Sequence, residues 1–527
     1  MSRKFPVAHV NDLQDGDMKQ VEVEGLKILL TRLDGRFSAI GGECSHYGGP
    51  LAEGVLSGLH VTCPWHQARF HVTTGELASP PALDSMARFD TTVEREQVFV
   101  ILPKKASGTV PPAMVKRDAQ ADSRVFVILG GGAAGNAAAQ KLRQSAYRGR
   151  ILLISQESRL PYDRTALSKG YLSGDLEAES LPLRTAAFYQ EADIELMLGK
   201  KVNQINTASK TIIFDYGESL TYDALLVATG GKPLDLDVPG AGLANVFTLR
   251  TPENADRIMA AAKQSSEAVV VGTGFIGMET AAALRKRGLA VTVVGQGRVP
   301  FEKALGPEVG GMFQQIHEEK GVSFRLGRQV SRLNGEGKVR EVVLDNGERL
   351  PAGLVLVGIG VRPATDFLQG VPLNPDHSVT VDPYLSLGNG LYAAGDIARF
   401  PDWRTHELIR IEHWQLAELH GFTAAANMCG QREEFRGVPF FWTEQFDTYL
   451  YSVGHAHTWD EIIWHGRVQD RNFVAFYVKN GRVLAAAGCG YDHGMAYITE
   501  LMRAEQLPSP ADLRAGKTDL FDHLKVA

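Results

Sequence analysis

The sequence has little cysteine, four residues in 527, at Cys44, Cys63, Cys429 and Cys489. A fold stapled by many disulfides is therefore excluded, and a reducing compartment fits. No apolar run approaches the roughly 18 residues of a membrane span. The first residues, 1–7, carry charge but none of the apolar stretch of a secretory signal. Excess charge is missing too: the formal net charge is −6. Neither a nucleic-acid partner nor a membrane is expected, and the expected location is cytoplasmic. With 44% hydrophobic and 22% charged residues the composition is that of an ordinary globular protein. The length predicts about three or four domains.

Two of the scarce cysteines sit in short loops, each with a histidine: Cys44-Ser-His46 and, after the sixteen residues 47–62, Cys63-Pro-Trp-His66. One thiolate and one imidazole from each loop can hold a [2Fe-2S] cluster in which two His replace two Cys on one iron, which raises the reduction potential. Two Cys and two His also make an ordinary structural zinc set. Zinc pairs, however, usually space Cys with Cys and His with His, and here each loop supplies one of each. Gly48, Gly49, Pro50 and Pro64 flank the ligands and let backbone N–H groups approach the sulfurs. Cys429 and Cys489 read as small buried hydrophobes. Around the loops, residues 5–40 alternate apolar and polar over short runs, as in 21–23 and 26–31, followed by the hairpin signal Asp34-Gly35, and 98–102 continues in kind, so antiparallel strands are expected. Residues 103–123 are rich in Pro, Lys, Ala and Ser and read as a partly extended linker. Such a linker reaches tens of ångströms, so the first domain could dock on its own chain or on another.

From residue 124 the pattern changes. An apolar run, 125–129, leads into Gly130-Gly131-Gly132-Ala133-Ala134-Gly135 and an Ala-rich helix, and a second run, 151–154, is followed by Glu157. Strand, glycine turn and helix together place a pyrophosphate on a helix N-terminus, with a later carboxylate for the ribose. A second copy follows: residues 268–271, then Gly272-Thr-Gly274-Phe-Ile-Gly277-Met-Glu279, a helix and a strand at 290–294. Two such folds imply two dinucleotides. In the second copy Gly295 stands where the ribose carboxylate is expected, and Arg298 is near enough to meet a 2′-phosphate; NADH and NADPH both stay open. Further apolar strands end at Thr229-Gly230, at Gly358 and at Gly395-Asp396.

Residues 5–105, with their C-x-H and C-x-x-H loops, resemble a Rieske-type ferredoxin domain. The extra Cys pair that ties the loops together in high-potential relatives is absent, as in the soluble, lower-potential ferredoxins. The order of the remainder, one nucleotide fold interrupted by a second and then resumed, resembles the two-dinucleotide flavoproteins of the glutathione-reductase superfamily. No C-x-x-C or C-x4-C pair follows the first glycine turn, a departure from the disulfide reductases. Pro161-Tyr-Asp-Arg164-Thr-Ala-Leu-Ser168-Lys169 is similar to the segment that sets Arg and Lys against the flavin in ferredoxin reductases of oxygenase systems and in apoptosis-inducing-factor-like flavoproteins. The resemblance implies that Asp396 binds the flavin ribityl chain, that Lys169 lies near flavin N5 and Glu279 near the nicotinamide, and that Glu412-His413-Trp414, then Ala417 and Gly421, belong to the helix beside the isoalloxazine.

The expected fold is multidomain: an all-β Rieske domain (1–105), a linker (106–123), an α/β Rossmann-like FAD-binding domain (124–245 and 362–430), an α/β NAD(P)-binding domain (246–361) and an α+β C-terminal domain (431–527). Metal ligands are expected at Cys44, His46, Cys63 and His66, the two histidines exposed. Cofactor contacts are expected at Gly130, Gly132, Gly135, Glu157, Arg164, Lys169, Thr229, Gly230, Gly272, Gly274, Gly277, Glu279, Arg298, Gly395, Asp396 and Trp414, with Lys169, Glu279 and Trp414 nearest the chemistry. His455, His457, His465 and His493 lack ligand spacing and read as solvated or hydrogen-bonded. The tail from Leu507 reads as peripheral. The implied activity is an NAD(P)H-dependent FAD reductase that passes electrons through its own cluster to an unidentified protein or small-molecule acceptor, with a homo-oligomer allowed. The alternative is a slow redox sensor or interaction protein of apoptosis-inducing-factor type.

Overall fold

A computed structural model describes residues 2–516. The chain first builds a six-stranded antiparallel sheet in the order Arg3–His9, Gln97–Leu102, Arg88–Glu94, Arg36–Gly41, Leu26–Leu33, Met18–Val23. Asp34 and Gly35 turn between two of these strands at φ 49° and 70°, the left-handed pair a two-residue hairpin needs. A second sheet, Val55–Ser57, His60–Thr62, Arg69–His71 and Leu77–Ser79, carries the second ligand loop between its middle strands. The linker is tied down: Thr109–Val110 pairs with Ser85–Met86, and Val115 and Asp118 donate to the carbonyls of Arg143 and Arg148.

The first dinucleotide fold is a parallel sheet ordered Ile194–Met197, Arg150–Ile154, Val125–Leu129, Ala224–Val227, Leu391–Ala393, with Ser386–Gly388 antiparallel at its edge. Leu391–Ala393 comes from after the second copy, so the first fold is interrupted and resumed. The near-continuous burial of Val125–Leu129 and Ala224–Val227 is what a sheet covered on both faces requires. Helix Ala133–Gln144 packs on the returning helix Trp414–Met428, where a Cβ on Gly421 would stand 2.2 Å from the Ala134 carbonyl oxygen. The second copy is parallel as well: Val246–Phe247, Leu354–Val357, Glu267–Val271, Ala290–Gly295, Val322–Leu326.

Five antiparallel strands close the molecule, Phe440–Gln445, Thr448–Gly454, Arg482–Cys489, Asn472–Lys479 and Glu461–Arg467. Helix Asp492–Arg503 packs on this sheet through Met495, Ile498 and Met502. The expectation of a peripheral tail needs correction. Helix Pro510–Ala515 buries Leu513 to 2% exposure in the core of this domain, and the Leu513 carbonyl meets His465 Nε2. Residues of the tail beyond 516 lie outside the described residues.

The N-terminal domain docks on its own chain. Tyr47 donates to Asp163 at 2.7 Å, Arg184 to Asp84 at 2.6 Å, and Gln415 to the carbonyls of His66 and Pro80. On the C-terminal side Thr62 donates to buried Glu500 at 2.6 Å, and Arg69 Nε lies 3.4 Å from the same carboxylate. Among the described residues no helix is long and apolar enough to cross a membrane.

Candidate functional site

Each ligand loop closes on itself. Cys44 N–H donates to Gly49 O and Gly48 N–H to Cys44 O; Cys63 N–H donates to Ala68 O and Gln67 N–H to Cys63 O. A Cβ on Gly49 would stand 2.7 Å from Cys63 Sγ, so only glycine lets one loop come this close to the other. The loops bring like with like. The buried Cys44 and Cys63 thiols interact with each other, and His46 Nδ1 lies 3.2 Å from His66 Nδ1. Two nitrogens on one tetrahedral metal at about 2.1 Å are about 3.4 Å apart, so the imidazole pair fits one metal and the thiol pair a second. Among the described residues no group of three or more His, Cys, Asp or Glu surrounds a single ion position. The histidines are not the exposed ligands expected. They are half-buried, with His46 against Tyr47 at 4.1 Å between ring centres and His66 against Trp442 at 4.7 Å.

Trp442 also lines a cavity of about 1190 Å³ shared by the two dinucleotide folds and the C-terminal domain. At the first fold, Gly130, Gly132 and Glu157 are in its wall. Gly130 takes φ +118°, and a Cβ there would stand 2.2 Å from Ala228 O; Gly135 lies behind the wall, where a Cβ would stand 1.8 Å from Gly130 O. Helix Ala133–Gln144 has no side-chain cap, which leaves its first N–H groups to a phosphate. Glu157 accepts from Tyr162 and Arg164. Thr229, Gly230, Gly395 and Asp396 line the centre of the cavity, the Thr229 hydroxyl donating to Ala364 O and Gly230 at φ +64°.

The second fold repeats the turn. Gly272 takes φ +118° with Gly358 O 2.2 Å from a Cβ, Gly277 would meet Gly272 O at 2.3 Å, and helix Phe275–Lys286 is again uncapped behind Gly274. Gly274 and Glu279 line the cavity, whereas Gly272 and Gly277 only shape the turn. Lys169 Nζ donates to Glu279 at 3.0 Å and to Thr165 O at 3.2 Å, so two residues expected at the chemistry form one ion pair. Trp414 opens its helix at the cavity wall. Arg298 is not brought there. It is 84% exposed and paired with Glu302, four residues on, and a Cβ on Gly295 would stand 2.4 Å from the Thr273 side chain.

Sequence reasoning missed Arg250, whose guanidinium lies 3.6 Å from Asp396 and would be 2.7 Å from a Cβ on Gly230. Burial and the neighbouring Arg164 hold Arg250 below its ordinary range. It also passed over Trp442 as a bridge and Thr443 as a partner of Glu279. None of the three stands in a local pattern that could have marked it.

Three family descriptions match in series. Residues 3–90 match the Rieske [2Fe-2S] domain, 124–421 the pyridine nucleotide-disulphide oxidoreductases, and 440–524 the reductase C-terminal domain. The chain is 38% identical to apoptosis-inducing factor 3 of Homo sapiens over 98% of this chain and 86% of that protein. It is 35% identical to putidaredoxin reductase CamA of Pseudomonas putida over 68% of this chain and 87% of that one. The crystal structure of a covalent putidaredoxin reductase–putidaredoxin complex matches 76% of this chain and 98% of its own, at 32% identity and a TM-score of 0.72.

Proposed function

We infer the electron route from the premise that the chain belongs to the pyridine nucleotide-disulphide oxidoreductase family and carries a Rieske domain, which makes it a ferredoxin reductase-like oxidoreductase with FAD, NAD(P)H and a [2Fe-2S] cluster. Reducing equivalents from NAD(P)H enter at the second fold and leave through the cluster of the same chain to an external acceptor. When bound, these groups supply hydride transfer from nicotinamide to flavin and one-electron transfer to the cluster. The residues supply position. The helix N-termini after Gly132 and Gly274 hold the two pyrophosphates, Glu157 the flavin-side ribose, and Asp396, braced by Arg250, the ribityl chain. Lys169 and Glu279 mark where flavin and nicotinamide meet, Trp414 lies beside the flavin, and Cys44, His46, Cys63 and His66 hold the cluster.

The observation that carries this reading is the place of Trp442, at once in the cavity wall and 4.7 Å from the His66 ring. The docked domain thus sits at the cavity as a separate ferredoxin would, and putidaredoxin is bound to its reductase in the complex cited above. Anaerobic mixing with NADH, and separately with NADPH, followed at flavin and cluster wavelengths, tests it: flavin bleaching is expected first and cluster reduction second. A cluster still oxidised under excess of both nucleotides contradicts it.

Similarity to apoptosis-inducing factor 3 spans the cluster domain as well, and this favours a second reading, a redox sensor with slow turnover. Steady-state ferricyanide reduction separates the two, since a sensor gives little.

A further inference from the structure

Strand Phe440–Gln445 presents two faces to the site. Trp442 points toward the cluster loops, while Thr443 and Gln445, both fully buried, point the other way. From the second face a line of buried polar groups runs to the Lys169–Glu279 pair. His317 Nε2 is 2.8 Å from Gln445 Oε1, Gln445 Nε2 is 3.1 Å from Thr443 Oγ1, and Thr443 Oγ1 is 2.7 Å from Glu279 Oε1. His317 comes from helix Glu302–Glu319 of the second fold and is fully buried.

The direction of the line follows from its end. Glu279 Oε2 takes Lys169 and Ser168, so the carboxylate is an acceptor throughout and Thr443 must donate to it. The Thr443 oxygen is then free to accept from the Gln445 amide N–H₂, which turns the Gln445 carbonyl toward His317. His317 must donate from Nε2, leaving Nδ1 as the acceptor nitrogen of a neutral ring. Two further observations agree. His317 Nδ1 has no partner among the described residues, and burial pushes His317 down to about 4, outweighing the Gln445 hydrogen bond.

We propose that His317, Gln445 and Thr443 form a one-way hydrogen-bond chain that positions the Glu279 carboxylate against Lys169, so that the second fold and the C-terminal domain jointly set the charge at the flavin–nicotinamide junction. These three are positioning residues that act through Glu279. Aligned donors polarise one another in a low-dielectric interior, and hydrogen bonds to a charged group are the stronger kind. Removing the last donor leaves the carboxylate less compensated, which draws Lys169 to it more tightly and disfavours added electron density on the flavin. The proposal rests on the reading of Lys169 and Glu279 as that junction.

The test uses the holoprotein. Thr443→Val keeps the volume and removes the donor, whereas Thr443→Ser keeps the donor. In Thr443→Val the reduction equilibrium of bound FAD should fall tenfold, a drop in midpoint potential of about 30 mV for a two-electron couple, read by spectroelectrochemistry. The limiting rate of flavin reduction should fall about tenfold with the half-saturating nicotinamide concentration unchanged, and Thr443→Ser should restore both. Where Thr443→Val fails to retain FAD, Gln445→Glu reads the same effect, because the introduced carboxylate competes for the Thr443 hydroxyl. Wild-type potential and rate in a donor-deleted variant that retains FAD would overturn the chain while leaving the junction standing. A Glu279→Gln protein with both quantities unchanged would instead remove the junction on which it rests.

Discussion

The two dinucleotide folds begin alike and end differently. Gly130 and Gly272 take the same φ of +118° against a carbonyl 2.2 Å from the added Cβ, and each helix that follows lacks a side-chain cap. Past the turn the copies diverge. The first is closed over by Tyr162, Arg164 and Arg250, with Glu157 and Asp396 held among them. It also carries Asp163 and Arg184, which grip the N-terminal domain. The second has Gly295 at the ribose position and leaves Ile276 and Ile359 exposed at 46% and 41%. The first copy is the more enclosed of the two and the second the more open.

The largest effect should come from adding one methyl to each turn. Alanine at φ +118° is strained by more than the roughly 1–2 kcal/mol of the left-handed region, and it meets a backbone oxygen as well. Gly130→Ala should purify without FAD, while Gly272→Ala should keep FAD and lose reduction by NAD(P)H. Equal FAD content in the two variants breaks the comparison.

Next is the grip on the N-terminal domain. Burial pushes the Glu500 carboxyl up, but Arg503, Arg69 and the Thr62 hydroxyl outweigh it and hold the group below its usual range. A carboxylate held low contributes its stability above the ordinary glutamate range of about 4.3 and loses it as pH falls through the lowered value. Removing one member of a buried charge group at an interface costs about 2–5 kcal/mol. Glu500→Ala should therefore slow cluster reduction at neutral pH while flavin reduction stays at the wild-type rate. In the wild type the same uncoupling should appear only in acid. Cluster reduction that tracks flavin reduction in the variant argues that Glu500 does not hold the domain.

A smaller effect is expected at the closed side of the first fold. Arg250→Ala removes a charged partner 3.6 Å from Asp396, and Coulomb attraction at that range near a protein surface is on the order of a few kcal/mol before desolvation. FAD dissociation measured by fluorescence should rise by about tenfold or more. The smallest effect belongs to Arg298. An exposed i,i+4 pair is worth about 0.3–0.5 kcal/mol, and Arg298→Ala should change the half-saturating NADPH concentration less than about threefold. A much larger rise would show that the arginine leaves Glu302 to meet the 2′-phosphate, making the second copy more closed than its geometry states.

What was legible in the sequence was local. A strand running into a glycine turn and a helix is a contiguous signal, so both copies and their order were readable, as were the ligand loops, because C-x-H and C-x-x-H are fixed by spacing. Arg250, Trp442 and Thr443 acquire their roles only when the chain returns across hundreds of residues, and no periodicity encodes that. Arg298 stands in a pattern that fits a phosphate, while the carboxylate it pairs with here, Glu302, sits one helical turn away. The linker's composition signalled extension, yet two backbone pairs at Thr109–Val110 and the docking contacts decide which chain the domain meets.

The central claim is that electrons pass from flavin to cluster within one chain. Cluster reduction after rapid mixing with excess nicotinamide, measured over a hundredfold range of protein concentration, tests it most directly. The docked domain and Trp442 predict a first-order rate constant independent of concentration. A rate constant that rises in proportion to protein concentration would place the transfer between molecules and contradict the account.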